Sequence, residues 1–272
     1  MFGEKLENIR KTSPLIHNIT NYVTANDCAN ILLACGASPT MADDASEVEE
    51  ITTISNALNI NIGTLNAMVT GMFLAGKKAN ELGRPVVLDP VGAGASRLRT
   101  DTACKLIDEI HFTVIRGNIS EVKTLASGSG TTKGVDADAA DIVTEDMLDQ
   151  AIAFVKAFAA KTGAVIAVTG AIDLVADAGR AFVIRNGRPM MGRVTGTGCM
   201  LSAMTAAYLA ANPGAALEAA AAAVCAMGVC GEIALERLQE GEGNATYRNR
   251  LIDAIYHLDA QTLEGRARYE IR

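Results

Sequence analysis

Tryptophan is absent from this 272-residue chain, and aromatic residues make up only 4% of it. The apolar fraction, 49% of residues, is therefore carried mostly by small and aliphatic side chains, which suit helices packed closely on a sheet. Positive charge is also short: 24 Lys and Arg against 31 Asp and Glu leave a formal charge of −7. With no Lys/Arg run to offset it, a nucleic-acid surface is excluded. The three histidines lie far apart, and the six cysteines include no Cys-x-x-Cys pair, so no local zinc signature exists. Those thiols fit a reduced, cytoplasmic setting. The opening residues Met1–Glu7 lack the apolar core of a signal peptide. The most apolar run, Ala219–Gly231, is bracketed by Glu218 and Glu232 and is too short to cross a bilayer, so no membrane partner is expected.

What is present is a regular alternation. Residues 3–12 have helix-forming composition and stop at Ser13-Pro14. A short strand from Leu15 follows, carrying His17, Asn18 and Asn21, which are unusual for a plain core strand. Val23–Cys35 reads as a helix ending near Gly36. Pro39–Asp44 reads as a loop, and Ser46 as the cap of a helix through Ser55, with Glu49 completing a capping box. Ala57–Ile62, Pro85–Asp89, Phe112–Ile115 and Val165–Thr169 are apolar runs of strand length, separated by helical segments. One of these runs Arg97–Glu109, and another starts at Asn118. Residues 127–141 read as a loop rich in Gly, Ser, Thr and Asp. A hairpin over 174–184 and helices at 199–211, 214–238 and 244–259 complete the chain. The pattern predicts one α/β domain over residues 1–272, a mostly parallel sheet with helices on both faces. Ligands of such sheets sit beyond the carboxyl ends of the strands, where Asp89, Arg116-Gly117-Asn118 and Thr169-Gly170 fall.

The stretch Arg193-Val-Thr-Gly-Thr-Gly-Cys199 runs straight into an Ala/Leu/Met-rich helix. Glycines let the backbone approach a ligand closely. The first turn of a helix offers unpaired N–H groups and roughly half a positive charge, which together suit a phosphate. The Walker pattern Gly-x-x-x-x-Gly-Lys-Ser/Thr is missing. An anion site, a strand-end Asp, an Arg and a Glu on a helical first turn together make a phosphoryl-transfer set, with oxygen ligands of the kind Mg²⁺ takes.

Seven blocks, in order, carry a resemblance over almost the whole chain: Ser13-Pro-Leu-Ile-His-Asn-Ile-Thr-Asn21, Gly36-Ala-Ser-Pro-Thr-Met41-Ala, Asn61-Ile-Gly-Thr-Leu65, Val87-Leu-Asp-Pro-Val-Gly-Ala-Gly-Ala95, Ile115-Arg-Gly-Asn-Ile-Ser-Glu121, Val168-Thr-Gly170 and Val194-Thr-Gly-Thr-Gly-Cys199. The chain resembles the bacterial hydroxyethylthiazole kinases, a branch of the ribokinase-like kinases. The resemblance implies ATP-dependent phosphorylation of the alcohol of 4-methyl-5-(2-hydroxyethyl)thiazole, a salvage step toward thiamine diphosphate. It also implies a homotrimer whose thiazole sites lie at subunit boundaries. By position, it places Asn21, Met41 and the Gly196 backbone on the thiazole, and Arg116 and Thr169 on ATP. Asp89 and Glu121 fall on Mg²⁺ and its waters, with Asn118 beside them. Gly196, Thr197, Gly198 and Cys199 form the anion hole, and Cys199 orients the acceptor hydroxyl. Most ribokinase-like kinases have Asp at that last position; the thiazole kinases share the Cys. A site shared between chains is expected to take Asn21 from one chain and Gly198 from its neighbour.

Each residue taken singly has a plainer role. Met41 can fill core, Asp89 can hold a turn, and Arg116 can form a surface ion pair. Thr169 can satisfy its own loop, Glu121 can support a helical first turn, and Asn21 can cap the next helix. A repair dehydratase of the same fold, acting on hydrated NADH, and a non-catalytic nucleotide- or thiazole-binding regulator stand as alternatives.

Overall fold

The computed structural model describes residues 1–128 and 143–272. The chain runs α1 (Phe2–Thr12), β1 (Leu15–Ile19), α2 (Ala25–Cys35), β2 (Ser38–Met41), α3 (Val48–Ile54), β3 (Ala57–Asn61), α4 (Met68–Glu81), β4 (Val86–Asp89) and α5 (Arg97–Glu109). It continues β5 (Val114–Gly117), α6 (Ile119–Ser127), α7 (Leu148–Thr162), β6 (Val165–Val168), β7 (Asp173–Ala176) and β8 (Ala181–Ile184). Then follow α8 (Thr197–Ala211), α9 (Ala216–Glu236), α10 (Asn244–His257), α11 (Ala260–Arg266) and β9 (Tyr269–Ile271).

Among the described residues the strands form one nine-stranded sheet in the order β2-β1-β3-β4-β5-β6-β7-β8-β9. The first six strands in that order pair in parallel, and β7, β8 and β9 run antiparallel. Strands buried on both faces need apolar side chains at nearly every position, which is why β4 and β6 read as unbroken apolar runs. One face is covered by α1, α2, α8 and α9, the other by α3–α7. The chain leaves β1 first for β2 on one side and then returns to β3 on the other. Such a reversal opens a crevice beyond the strand ends.

Local chemistry explains the boundaries. Ser13 ends α1 in the left-handed region at φ 42°, and Gly36 ends α2 at φ 98°, a conformation that costs glycine little. The capping box expected at Ser46 does not form. Both the hydroxyl and the N–H of Ser46 donate to Asp44 Oδ1, at 2.7 and 2.8 Å, so a turn built on Asp44 takes the cap and α3 starts after Glu47. A true capping box sits at Asn118 and Glu121.

Residues expected in a loop at 39–44 instead begin with strand β2, whose four residues pair with Leu15–Asn18. Helix α11 and strand β9 are short, polar elements without periodicity. Tyr269 of β9 is anchored by its ring, 4.6 Å from Phe2 and 5.7 Å from Phe182. Aromatic pairs at such distances contribute about 0.5–1.5 kcal/mol each beyond area burial. The expected loop over 127–141 lies outside the described residues except for Ser127, which closes α6, and its glycine cap Gly128. By length and composition α9 could cross a membrane, but 89% of its apolar window is buried inside the fold.

Candidate active site

Strand alternation aims the site. In β3, Ala57, Asn59 and Asn61 face the same side, and Val87 and Asp89 of β4 face it too, since period 2 sets the faces. Ala57 and Val87 belong to the core under α8 and α9. Asn61 and Asp89 are register partners across the two strands, and both are fully buried. They meet the first turns of α8.

Asp89 Oδ2 is the focus of three donors: Ser202 Oγ at 2.7 Å, Asn61 Nδ2 at 2.9 Å and Arg116 Nη1 at 3.4 Å. Its other oxygen, Oδ1, is buried and makes no hydrogen bond among the described residues. Burial pushes the Asp89 pKa up, and the Arg116 charge is the largest opposing influence. Arg116 also donates to Thr169 Oγ1 at 2.6 Å, while its Nε has no partner among the described residues. The guanidinium lies so close to α8 that a Cβ on Gly198 would stand 2.6 Å from Nη1.

Glu121 lies beside this group, at the start of α6. Its Oε1 accepts from the Gly92 N–H and its Oε2 from the Asn118 N–H, both at 2.8 Å. The carboxylate thus pins the turn after β4 to the helix after β5. Burial, and after it the negative charge of Asp89, raise Glu121 to about 7. Two nearby carboxylates that repel each other in a dry site are an arrangement a cation relieves.

The glycine loop forms the other wall. Gly196 is the N-cap of α8 at φ 88°, and a Cβ there would press to 2.5 Å of Thr24 Cγ2. Only glycine fits this turn. Cys199 is 9% exposed and accepts a hydrogen bond from Asn21 Nδ2 at 3.3 Å; Thr24 and Asn61 also face the sulfur. Burial and then the Asp89 charge raise the thiol pKa, so the neutral thiol is the resting form.

Asn21, Asp89, Arg116, Thr169, Gly196, Thr197, Gly198 and Cys199 are therefore gathered at one rim, with Glu121 adjoining. Met41 lies at the end of edge strand β2, 41% exposed, paired with Asn18 of β1. The expectation that a site draws Asn21 from one chain and Gly198 from the next is overturned, because Asn21 reaches the Cys199 sulfur of its own chain. Asn21 Oδ1 also accepts from the N–H and hydroxyl of Thr24, each at 3.1 Å, so it braces the entry to α2 as well. His17 serves structure on the opposite face. Its ring bonds Thr52 Oγ1 and the Ala42 carbonyl, both at 2.9 Å, and burial lowers its pKa.

Sequence reading missed Asn61 and Ser202 as contributors, and Asp173, whose Oδ1 accepts from the Gly170 N–H at 2.8 Å. Asn61 opened a recognised block and Ser202 lies one helical turn beyond Cys199. Those were the available signals.

Comparison with known proteins fits this geometry. The profile of the hydroxyethylthiazole kinase family matches residues 6–261. A hydroxyethylthiazole kinase of Clostridium acetobutylicum is 64% identical over 271 residues, covering 99% of both chains. One from Desulfovibrio desulfuricans is 48% identical, covering 98% of this chain and 97% of that protein. The solved structure of a hydroxyethylthiazole kinase protein from Pyrococcus horikoshii OT3 superposes with a TM-score of 0.88 at 35% identity, over 100% of this chain and 98% of that one. A Staphylococcus aureus pyridoxal kinase in complex with pyridoxal, at 14% identity and a TM-score of 0.60 over 95% and 97% of the two chains, shares the fold. With the family profile matching residues 6–261 and a relative 64% identical across 99% of both chains, this chain belongs to the hydroxyethylthiazole kinase family.

Proposed function

We propose that this chain, as one domain, transfers the γ-phosphoryl group of ATP to the hydroxyl of 4-methyl-5-(2-hydroxyethyl)thiazole. The supporting observation is the lodging of Arg116 between Asp89, Thr169 and Gly198. It sets a cation at the mouth of a helix N-terminus whose first-turn N–H groups also favour an anion.

In this reading Arg116 and Thr169 bind ATP, and Arg116 Nε, a buried donor without a partner among the described residues, is left for a phosphate oxygen. The first turn of α8, from Gly196 through Thr197 and Gly198 to Cys199, takes the transferred group's oxygens. Electrostatic stabilisation of that kind is the main protein contribution to phosphoryl transfer. Cys199 rests as a thiol and orients the acceptor hydroxyl; a loose transition state asks little of a base early in the step. Asn21, the Gly196 backbone and Met41 border the thiazole.

Asp89 and Glu121 fit Mg²⁺. No group of three or more His, Cys, Asp or Glu gathers among the described residues, and Mg²⁺ is commonly held by one or two carboxylates plus waters and substrate phosphates. Asp89 Oδ1, without a partner among the described residues, is the natural oxygen for it, with Glu121 acting on its waters. Bound there, the cation would neutralise charge on the β- and γ-phosphates.

A homotrimer would complete the thiazole pocket: Tyr22, Val23 and Met41 are exposed at the carboxyl ends of β1 and β2, where a neighbouring chain can cover them. With six free cysteines, the enzyme suits the reducing cytoplasm. Incubation with the thiazole alcohol, ATP and Mg²⁺, followed by mass spectrometry, should yield the thiazole phosphate and ADP. Binding of the alcohol without any phosphorylated product would point to a regulator instead.

A further inference from the structure

Asn61 opens a sequence block to which the phosphoryl-transfer reading gives no task, yet it is fully buried at the centre of the site. Its Oδ1 accepts from Asn21 Nδ2 at 2.9 Å and from the Gly63 N–H at 2.9 Å. Its Nδ2 donates to Asp89 Oδ2 at 2.9 Å, and the amide also faces the Cys199 sulfur. Asn21 in turn gives its second N–H to Cys199.

We propose that Asn61 is a positioning residue that couples the acceptor side of the site, Asn21 and Cys199, to the metal side, Asp89. An amide is suited to this because one end accepts and the other donates. Rotating it by half a turn would set N–H against the N–H groups of Asn21 and Gly63, and carbonyl against the Asp89 carboxylate, so its three partners fix one orientation. By holding Oδ2, Asn61 and Ser202 leave Oδ1, buried and without a partner among the described residues, as the carboxylate oxygen open to a cation. By holding Asn21, Asn61 aims an N–H at the sulfur. Neither function requires Asn61 to touch substrate.

This inference rests on the kinase reading, so its test has one arm that needs no turnover. Asn61→Leu preserves volume and removes every hydrogen bond. Asn61→Asp, kept for the case that the first does not fold, retains the acceptor toward Asn21 and Gly63 and replaces the donor toward Asp89 with oxygen. The first arm is Mg²⁺-free alkylation of Cys199 by iodoacetamide, followed peptide by peptide in the mass spectrometer. Asn61→Leu should slow it severalfold, as should Asn21→Ala, and the double variant should be slower by less than the product of the two, the mark of a shared path.

The second arm is turnover. Both Asn61 variants should lower kcat by roughly tenfold or more, the size expected for a lost charge-assisted hydrogen bond. They should also raise the Mg²⁺ concentration for half-maximal rate at least severalfold, while the folded fraction judged by circular dichroism stays at the wild-type level. A space-filling role predicts that folded Asn61→Leu matches wild type in alkylation and Mg²⁺ response, and that result overturns the coupling. If Asn61→Leu does not fold, a wild-type Mg²⁺ response in Asn61→Asp overturns it equally. Absence of thiazole phosphorylation by the wild type would overturn the kinase reading alone, and the alkylation arm would still decide the coupling.

Discussion

The guanidinium of Arg116 occupies the space that a side chain at Gly198 would need: a Cβ built there stands 2.6 Å from Nη1 and 2.9 Å from Nη2. The glycine in the first turn of α8 is therefore required by a neighbouring cation as much as by an incoming phosphate. Gly198→Val should push the guanidinium off Thr169 and Asp89. Because the displaced atoms are the far end of a flexible side chain, stability should change little while kcat/KM falls by about 10²-fold or more, the loss typical of a removed charge-stabilising donor. Thermal unfolding and initial rates measured together test this. Wild-type rates in the variant would exclude Arg116 as the group that meets the phosphate.

Cys199 should tolerate replacement better than the glycine. Its thiol is buried, raised in pKa, and held by Asn21, which describes an orienting group. Cys199→Ala should lose activity by no more than about 10²-fold, the lower end of what a well-placed acid–base group supplies. Cys199→Asp should remain active, since the Asn21 N–H can meet a carboxylate and negative charge is favoured at a helix N-terminus, although Asp89 opposes it. Side-by-side assays of the folded variants decide the matter; two equally dead proteins would mean that the sulfur forms a bond in the reaction.

If the chain forms the proposed homotrimer, mixing subunits tests where the site's residues come from. Asn21 and Cys199 touch within one chain, so subunits carrying Asn21→Ala combined with subunits carrying Gly198→Val should show no more activity than the average of the parents. Recovery above that average, with exchange confirmed by native mass spectrometry, would require the two residues to serve different chains.

Asp173 gives a pH-dependent stability with a defined sign. Burial raises it to about 7 from its ordinary 3.8. Between those values the folded state keeps a proton that the unfolded state has released. Its stabilising contribution is then full below about pH 4 and lost as pH rises through 7. The slope from one such group approaches about 1.4 kcal/mol per pH unit in that window. Asp173→Asn, which keeps the acceptor for Gly170, should remove that slope. Urea unfolding of both proteins at pH 5 and pH 7 measures it, and equal losses in the two would place the Asp173 pKa near its ordinary value.

The mostly parallel sheet and most elements were legible because parallel strands buried on both faces leave long apolar runs; the order of the strands was not. Arg97–Glu109 was readable to the residue. Edge strand β2 was not: Ser38–Met41 is only partly buried and contains Pro39, so its pattern is that of a loop, and it is the pairing with β1 that makes it a strand. The polar ends of β4, β5 and β6 announced Asp89, Arg116 and Thr169, because a charged or polar group after a buried run has nowhere to be except the rim. Asn61 and Ser202 were harder. Each is a neutral residue whose value lies in which way its amide or hydroxyl faces, and that depends on strand register and helix phase, which three-dimensional packing alone determines.

Helix α9 bears on how the chain is made. Its residues from Leu217 to Ala234 are almost all buried, under α1 and α8 on one hand and α10 and α11 on the other. During synthesis α9 leaves the ribosome ahead of α10 and α11, which emerge later to cover it. For the time needed to add some thirty further residues, at roughly 5–20 residues per second, a 21-residue apolar helix stands partly uncovered. That interval of a few seconds is when the nascent chain is most open to chaperones, to aggregation and to capture by membranes, and a ribosome stalled there would present the most adhesive surface of the protein.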